Sequence, residues 1–232
     1  LVRHDALLPA EIDPYYPAGV RVLARGLRLF SRRRDGRPGE RLARAFEQLG
    51  PVSIKLGQLL STRSDIFGRT FAEDLGHLKD RLPPFPAREA RTEVERELGR
   101  PVQALFEAFD DTPVAAASLA QAHRATLKDG RRVAVKVLRP GIERRVGADC
   151  AVLDLAARLI ESWVPAARRL EPRAFAETVI RATALELDLR LEAAGADELA
   201  EVMAADGYMA SPKVVWDGVG KPVLTMEWAE GL

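Results

Sequence analysis

The sequence predicts an α+β fold in which a small antiparallel sheet is combined with many helices. Residues 114–136 read as a strand, a run of small side chains, a second strand, a Lys-Asp-Gly turn and a third strand that ends on Lys136. Residues 213–216 and 222–228 predict a hairpin through Asp217 and Gly218, which brings the sheet to five strands. Helical patterns fill most of the remaining chain.

Glycine and proline residues mark where the helices begin and end. Helices are predicted before the sheet at residues 40–49, 52–63, 70–80, 87–98 and 102–109, and after the third strand at 141–163 and 172–204. The first 38 residues form a basic and apolar segment. We therefore divide the chain into this segment (1–38), a helical extension (39–110) and the domain that carries the sheet (111–232).

Composition excludes several classes of function. The 232 residues are 47% hydrophobic, and 35 basic against 34 acidic residues give a net charge of +1, which argues against nucleic-acid binding. The single cysteine, Cys150, excludes an internal disulfide and a cysteine-cluster metal site. No apolar run approaches the roughly 20 residues that cross a bilayer, so the chain is expected to be soluble. Arginines at 21–34 interleave with apolar residues, which fits either a helix on an anionic membrane or a solvated helix face.

The third strand places a lysine where a ligand can reach it. Apolar residues alternate through Val133, Val135 and Val137, so Ala134 and Lys136 point together to the opposite face. Phosphoryl chemistry needs one fixed cation on the phosphates, and protein kinases supply it from a strand in a Val-Ala-Ile-Lys context. The alternative is an exposed lysine that closes an ordinary hairpin.

The loop before the second strand, residues 115–118, contains alanine where kinases use glycine. Alanine lacks the easy positive φ of glycine, so this loop is expected to be stiffer than a glycine-rich loop and to sit differently on a nucleotide. His123, in the second strand, is assigned no chemical role.

Two further motifs identify a family. Residues 49–63 contain a Lys-x-Gly-Gln motif, and residues 186–192 contain Glu-x-Asp followed by a further glutamate. Together with the alanine-rich loop, these motifs resemble the UbiB family of atypical kinase-like proteins, and most closely its bacterial branch. The resemblance runs from about Gly39 to the end of the chain. Gly195 stands where that family usually has asparagine.

The resemblance implies a protein-kinase-like N-lobe: a five-stranded antiparallel sheet with an αC-type helix, plus N-terminal and inserted helices specific to the family. It implies that Glu192 pairs with Lys136 as the catalytic pair. The expected regulatory residues, which would restrain protein phosphorylation from a helix across the nucleotide site, are Lys55, Gly57, Gln58, Glu186 and Asp188. The expected nucleotide-binding residues are Val114, Ala115, Ala116, Ala117, Ser118, Leu119, Ala120, Gln121, Ala122, Lys136, Glu227 and Trp228.

Helical geometry predicts how the carboxylates of residues 186–192 are arranged around the helix. If residues 172–204 form one helix, Asp188 and Glu192 share a face four residues apart, whereas Glu186 lies about 120° away from Glu192. The carboxylates can then meet different partners. The alternative is a run of solvated charges on an exposed helix.

The function implied by the resemblance is ATP (or ADP) binding by an atypical kinase or ATPase that supports ubiquinone biosynthesis at the cytoplasmic face of the bacterial inner membrane. Expected partners are quinone-biosynthesis proteins and anionic or prenyl lipids. The sequence contains no asparagine, and Asp65-Ile66-Phe67-Gly68 is only superficially similar to the Asp-Phe-Gly motif of kinases. We therefore expect the C-lobe, with the catalytic aspartate, the asparagine and the Mg²⁺ site, beyond residue 232, and this fragment alone to be inactive.

Two other functions remain open. One is a non-catalytic pseudokinase module that senses a nucleotide or a lipid and organises partner proteins. The other is a small-molecule kinase of the aminoglycoside or choline type, which is not expected to contain Lys-x-Gly-Gln.

Overall fold

The computed structural model describes Gly26 and residues 35–78, 83–207 and 210–229. The chain divides into two compact units, residues 1–80 and 81–232. Apart from Gly26, the basic stretch at 21–34 lies outside the described residues, and the three-part division stays a prediction. Among the residues described, no helix is both long and apolar enough to span a bilayer.

The first unit contains four described helices. Gly50, with φ of 120°, separates the first two, and Pro51 begins the second helix, where its missing N–H leaves no hydrogen bond unmade. The helices are α1 (Pro38–Leu49), α2 (Pro51–Ser61), α3 (Ser64–Phe67) and α4 (Arg69–Gly76).

Gly57, the glycine of Lys-x-Gly-Gln, lies where helices of the first unit pack closely. The buried core there includes Phe46 of α1, Leu75 of α4 and Leu78. A Cβ atom at Gly57 would lie 2.2 Å from Leu78 Cδ1 and 2.7 Å from Phe46 Cδ2. No larger residue fits without displacing these side chains, so packing alone requires glycine at this position.

The second unit is built on a four-stranded antiparallel sheet with the strand order β1-β2-β3-β4. Two helices precede the sheet, and a long connection of three helices separates β3 from β4. The elements are α5 (Ala87–Leu98), α6 (Val102–Leu105), β1 (Phe106–Ala116), β2 (Ala120–Leu127), β3 (Arg132–Leu138), α7 (Ile142–Trp163), α8 (Pro172–Leu185), α9 (Leu189–Asp206) and β4 (Val223–Glu227), with short 3-10 helices at Pro165–Leu170 and Trp216–Gly218.

One face of β3 forms the core of this unit. Val133, Val135 and Val137 are fully buried, and they belong to one hydrophobic cluster with Ala90 and Val94 of α5. The alternation predicted from sequence is therefore confirmed, and α5 covers the face opposite to Lys136.

The prediction of a fifth strand is wrong. Residues 213–215 do pair with β4, since Val215 N donates to Thr225 O at 2.9 Å and Glu227 N donates to Lys213 O at 2.9 Å. Only an isolated bridge, Val214 to Met226, results. The chain then turns into the 3-10 helix that begins at Trp216, so the pairing ends before a strand can form.

The predicted helix at 102–109 is also too long. It ends at Leu105, and Phe106 is extended, with φ of −121° and ψ of 146°. Phe106 and Phe109 are buried in the cluster that contains the valines of β3. Burial of two aromatic side chains against the sheet outweighs the weak helical preference of this segment.

The predicted helix at 172–204 is two helices. Asp188 has an extended backbone, with φ of −126°, and its side chain caps α9 by accepting from Arg190 N at 3.1 Å. Leu189 N donates to Lys221 O at 2.9 Å, so its amide bonds to a distant loop. Because the helix is broken, the angular relation predicted between Glu186, Asp188 and Glu192 does not apply.

His123 is fully buried, and both of its ring nitrogens have hydrogen-bond partners. Its Nε2 atom lies 2.8 Å from Gln121 Nε2, which can only donate, and its Nδ1 atom lies 2.7 Å from the carbonyl oxygen of Asp110, which can only accept. The imidazole is thus neutral, with its proton on Nδ1. Burial lowers the pKa of His123, although the Asp110 carbonyl acts in the opposite direction.

This shift predicts a pH dependence of stability. Below about pH 6.5 the unfolded chain binds a proton at His123 that the folded chain resists, so the free energy of unfolding should fall as pH falls and be retained above that value. Urea unfolding of the chain between about pH 7.5 and pH 5 measures this slope. His123→Gln should flatten it, whereas His77→Gln, at an exposed histidine, should not. Equal slopes in both variants would contradict the assignment.

A second prediction concerns Gly57. Gly57→Ala should destabilise the first unit by about 1–2 kcal/mol, because overpacking against Phe46 and Leu78 outweighs the better helix propensity of alanine. Gly76→Ala is the matched control, since no atom lies within 4 Å of a Cβ built there. Thermal unfolding of both variants tests this, and a Gly57→Ala chain as stable as Gly76→Ala would show that the helices can move apart freely.

Candidate functional site

The face of the sheet opposite to the valines carries alanines beside Lys136 on the β2 side and the buried Leu224 on the β4 side. Lys136 lies directly across from Ala122 on β2 and from Leu224 on β4, and Ala122 lies across from Ala115 on β1. Residues at opposed positions of neighbouring strands project to the same side of a sheet. The row Ala115, Ala122, Lys136 and Leu224 therefore forms one line across all four strands.

Lys136 forms a two-pronged ion pair with Glu192, which lies in the first turn of α9. Lys136 Nζ lies 2.8 Å from Glu192 Oε1 and 2.7 Å from Oε2. The side chains are 38% and 46% exposed, so solvent and solutes reach both groups. An exposed pair contributes at most about 1 kcal/mol to folding, and its main effect is to fix the direction of the ammonium group.

The position of Glu192 depends on a residue that the sequence did not single out, Lys221. Its carbonyl accepts from Leu189 N, its amide donates to Glu97 Oε1 at 2.8 Å, and its Nζ atom lies 2.5 Å from Glu143 Oε1. The Glu143 hydrogen bond raises the pKa of Lys221. One residue of the turn before β4 thus holds α5, α7 and the start of α9 together.

The alanine loop is shorter than predicted. Ala115 and Ala116 are strand residues that pair with Ala122 and Gln121, so the turn between β1 and β2 consists of residues 117–119 alone. Ala117 N donates to Ala120 O at 2.8 Å and closes the turn. Pairing with β2 extends β1 into the alanine run, which the small side chains alone could not indicate.

Arg139 clamps this turn, and sequence reasoning missed it. Its Nε and Nη2 atoms donate to Ala117 O at 3.1 and 2.8 Å, and Nη2 also donates to Pro83 O at 2.9 Å. Arg139 N donates to Leu119 O at 2.8 Å. The available signal was an arginine directly after the strand that contains Lys136, in the sequence Val-Leu-Arg-Pro.

The predicted nucleotide-binding run 114–122 is divided between the two faces of the sheet. Ala122 shares the row of Lys136, whereas Gln121 is buried and bonds to the backbone of Phe85, accepting from N at 3.0 Å and donating to O at 3.2 Å. Ser118, Leu119 and Ala120 are buried as well, and Val114 is half-exposed. Their roles toward a nucleotide stay predictions.

At the end of β4, the N–H groups of Glu227 and Trp228 are already engaged. They donate to Lys213 O and Arg132 O, each at 2.9 Å. The guanidinium of Arg124 lies 4.3 Å from the centre of the Trp228 ring. Adenine recognition by these two residues stays a prediction, and it would have to use groups other than these two amides.

The predicted regulatory residues lie in both units. Lys55, Gly57 and Gln58 are on α2, whereas Glu186 and Asp188 lie between α8 and α9. Asp188 Oδ2 accepts from Arg190 Nη2 at 2.6 Å, and this hydrogen bond lowers the pKa of Asp188. The engagement of Glu186 and Asp188 with the α2 motif stays a prediction.

Within the described ranges, no three side chains of histidine, cysteine, aspartate or glutamate converge in an arrangement that could hold a metal ion. The charged chemistry of the site is thus that of one ammonium and one carboxylate beside a small-residue surface. A fixed cation next to a surface of small side chains can bind an anionic ligand.

Several known proteins are similar to this chain over most of its length. A chain named "Probable protein kinase UbiB" from Marinobacter nauticus is 41% identical over 230 residues, covering 99% of this chain and 42% of the relative. One of the same name from Xanthomonas campestris pv. campestris is 42% identical over 199 residues, covering 84% of this chain and 36% of the relative. This chain thus spans less than half the length of these relatives.

A solved structure is also similar to most of this chain. Rv3197 from Mycobacterium tuberculosis, in complex with erythromycin, matches with a TM-score of 0.52 and 27% identity, over 93% of this chain and 52% of that one. The kinase-like α+β fold predicted from sequence is thereby confirmed, with four strands in place of five. The model of the ABC1 atypical kinase-like domain matches residues 77–232. The chain therefore belongs to the ABC1 atypical kinase-like family.

Proposed function

We propose that the chain is the nucleotide-binding portion of an atypical kinase or ATPase that supports ubiquinone biosynthesis. The observation that carries this proposal is the pair of Lys136 and Glu192, held on an accessible face of the sheet beside a row of alanines. The relatives named UbiB support the biological setting, and the kinase-like family supports the ligand class.

In this proposal each group of the site has one task. Lys136 Nζ binds phosphate oxygens of ATP or ADP, and Glu192 keeps the ammonium directed at them. Ala115, Ala122 and Ala134 leave room for the adenine ring, and the clamped turn at 117–119 lies toward the phosphates. ATP supplies the phosphoryl group, and the proposal assigns neither the Mg²⁺ ligands nor the catalytic aspartate and asparagine of a kinase to residues of this chain.

The Lys-x-Gly-Gln helix has a restraining task in the same proposal. Lys55, Gly57 and Gln58 act against the use of a peptide substrate, and Glu186 and Asp188 belong to the same regulatory set. Within its own unit, Asp188 is bonded to Arg190. The setting is the cytoplasmic face of a bacterial inner membrane, with quinone-biosynthesis proteins and prenyl lipids as partners.

The Arg139 clamp favours a second candidate, a non-catalytic module that senses a nucleotide or a lipid. A stiff turn can hold a nucleotide without following the motion of its phosphates. ATP turnover by the full-length protein, with and without a quinone-precursor mimic and anionic lipid, separates the two candidates. Turnover supports the enzyme, and nucleotide binding without turnover supports the module.

The central prediction concerns Lys136. Lys136→Ala should weaken ATP and ADP binding roughly 10- to 100-fold, because it removes a charge-assisted hydrogen bond of about 1.5–3 kcal/mol. The free energy of unfolding without nucleotide should change by less than about 1 kcal/mol, since the pair is exposed. Nucleotide-dependent thermal stabilisation and calorimetry measure both quantities.

Two further variants serve as comparisons for Lys136→Ala. Lys128→Ala removes an exposed lysine from the β2–β3 turn and should bind nucleotide as the wild type does. Glu192→Gln should leave Lys136 charged but less well directed, with an intermediate loss. Equal stabilisation by nucleotide in wild type and Lys136→Ala would remove the basis of the proposal.

A further prediction concerns the stiffness of the turn. Arg139→Ala, or Ala117→Gly, should speed hydrogen exchange at residues 117–120 and alter the ratio of ATP to ADP affinities, because each change loosens the clamped carbonyl. Arg158→Ala is the matched control, since Arg158 is exposed and pairs instead with Asp154 of its own helix. Unchanged exchange and unchanged affinities in both loosened variants would show that the clamp has no influence on nucleotide selectivity.

A further inference from the structure

The four residues before α5 form a stiff segment. Residues 83–86 read Pro-Pro-Phe-Pro, and proline fixes φ at about −65°, so the segment can adopt few conformations. Pro86 has φ of −57° and ψ of 136°, which is close to polyproline II geometry. Because proline has no amide hydrogen, Phe85 carries the one backbone N–H donor of this segment. We call residues 83–86 the strap.

Gln121 binds the strap from the interior of the second unit. Its Oε1 atom accepts from Phe85 N at 3.0 Å, and its Nε2 atom donates to Phe85 O at 3.2 Å. The Nε2 atom also lies 2.8 Å from His123 Nε2, which fixes the orientation of the amide. Gln121 is 2% exposed. A buried amide that pairs with both backbone groups of Phe85 thus holds the strap much as a neighbouring strand would.

Arg139 joins the strap to the turn at 117–119. Its guanidinium donates to Ala117 O, from Nε at 3.1 Å and from Nη2 at 2.8 Å, and Nη2 also donates to Pro83 O at 2.9 Å. The same group lies 5.5 Å from the centre of the Phe85 ring. Because a guanidinium is rigid and planar, displacement of Pro83 removes one of its anchors and changes the geometry of its bonds to Ala117 O.

The strap lies on the face of the sheet that the valines occupy. Gln121 lies across from Val137, one of the buried valines, so both side chains project to that face. Phe85 packs against the hydrophobic cluster that contains these valines. The sheet therefore separates Phe85 and Gln121 from a ligand beside Lys136, and an effect of the strap on such a ligand passes through the turn.

We propose that the strap positions the turn at 117–119 for a nucleotide, with Gln121 and Arg139 as the positioning residues. While the strap is docked, Arg139 holds the carbonyl of Ala117 and with it the orientation of the peptide group that follows. Once the strap is released, Arg139 loses its bond to the strap, and the turn loses the conformation that favours the ligand. The inference rests on the proposed function and adds that the strap and the nucleotide, on opposite faces of the sheet, stabilise each other.

Amide hydrogen exchange at Phe85, followed by NMR on the full chain, measures release of the strap. Saturating ATP or ADP should slow this exchange roughly fivefold or more, because coupling between two sites is reciprocal. Lys136→Ala, at a nucleotide concentration that saturates the wild type alone, should show little slowing. A purely structural strap would exchange at the same rate with and without nucleotide.

Two variants release the strap in different ways. Gln121→Met removes the hydrogen bonds to Phe85 and should weaken ATP binding and speed exchange at Phe85 and Ala117 roughly two- to tenfold, the factor of an ordinary hydrogen bond. Pro84→Gly loosens the exposed strap without removing a hydrogen bond, and should act in the same direction by roughly two- to fivefold. Pro101→Gly, at an exposed proline before α6, is the matched control and should leave exchange at Ala117 and ATP affinity unchanged.

Arg139→Lys separates position from charge. Lysine keeps the positive charge but lacks the planar fork that bonds to both carbonyls. Arg139→Lys should therefore bind ATP as weakly as Arg139→Ala does, with faster exchange at Phe85 in both variants. Wild-type ATP affinity in Arg139→Lys would mean that the residue acts through its charge, against the positioning role.

The outcomes separate this inference from the proposed function. ATP binding that leaves exchange at Phe85 unchanged, while Lys136→Ala loses that binding, would overturn the inference and leave the proposed function standing. Faster exchange at Phe85 in Pro84→Gly with unchanged exchange at Ala117 would also overturn it, because the strap and the turn would then move independently. A wild type that binds neither ATP nor ADP would refute the proposed function, and this inference with it. Where circular dichroism shows that Gln121→Met is unfolded, Pro84→Gly decides the test.

Discussion

Packing of α5 on the valine face of β3 is the constraint on which the rest of the second unit depends. An isolated sheet of four strands exposes two faces. One face must be buried against another element if the other is to serve as a ligand site. Ala90 and Val94 close it by burying Val133, Val135 and Val137. At about 1.5–3 kcal/mol for each fully buried valine-sized side chain, this contact fixes the face on which Lys136 must lie.

The placement of Lys136 was predictable because it depends on a local rule. Side chains alternate along a strand, so three valines at every second position determine where the residue between them points. The helix break before α9 was not predictable in this way. Asp188 and Leu189 leave the helical path because of a cap and a bond to Lys221 O, and Lys221 lies far along the chain. Phe106 is similar, since its extended backbone follows from burial among residues of β3.

Residues of the motifs that suggested chemistry have several different physical roles in the structure. Gly57 of the Lys-x-Gly-Gln motif is required by contact with Phe46 and Leu78, which the sequence could not show because Phe46 comes from another helix and Leu78 from the segment after α4. The alanines before β2 belong partly to a strand, and the carbonyl of Ala117 in the remaining turn accepts hydrogen bonds from Arg139. A motif therefore records packing and backbone support as well as contact with a ligand.

The register of β4 against β3 determines where Glu192 lies relative to Lys136. Lys136 lies opposite Leu224, while the carbonyl of Lys221, at the turn that leads into the same strand, fixes the start of α9. A slip of β4 by two residues would keep every side chain on its face and yet move that turn by about 6.8 Å. Glu192 would then be carried out of reach of Lys136. Insertions or deletions in the turn before Val223 should thus disrupt the ion pair of Lys136 and Glu192, although that turn contributes no side chain to the pair.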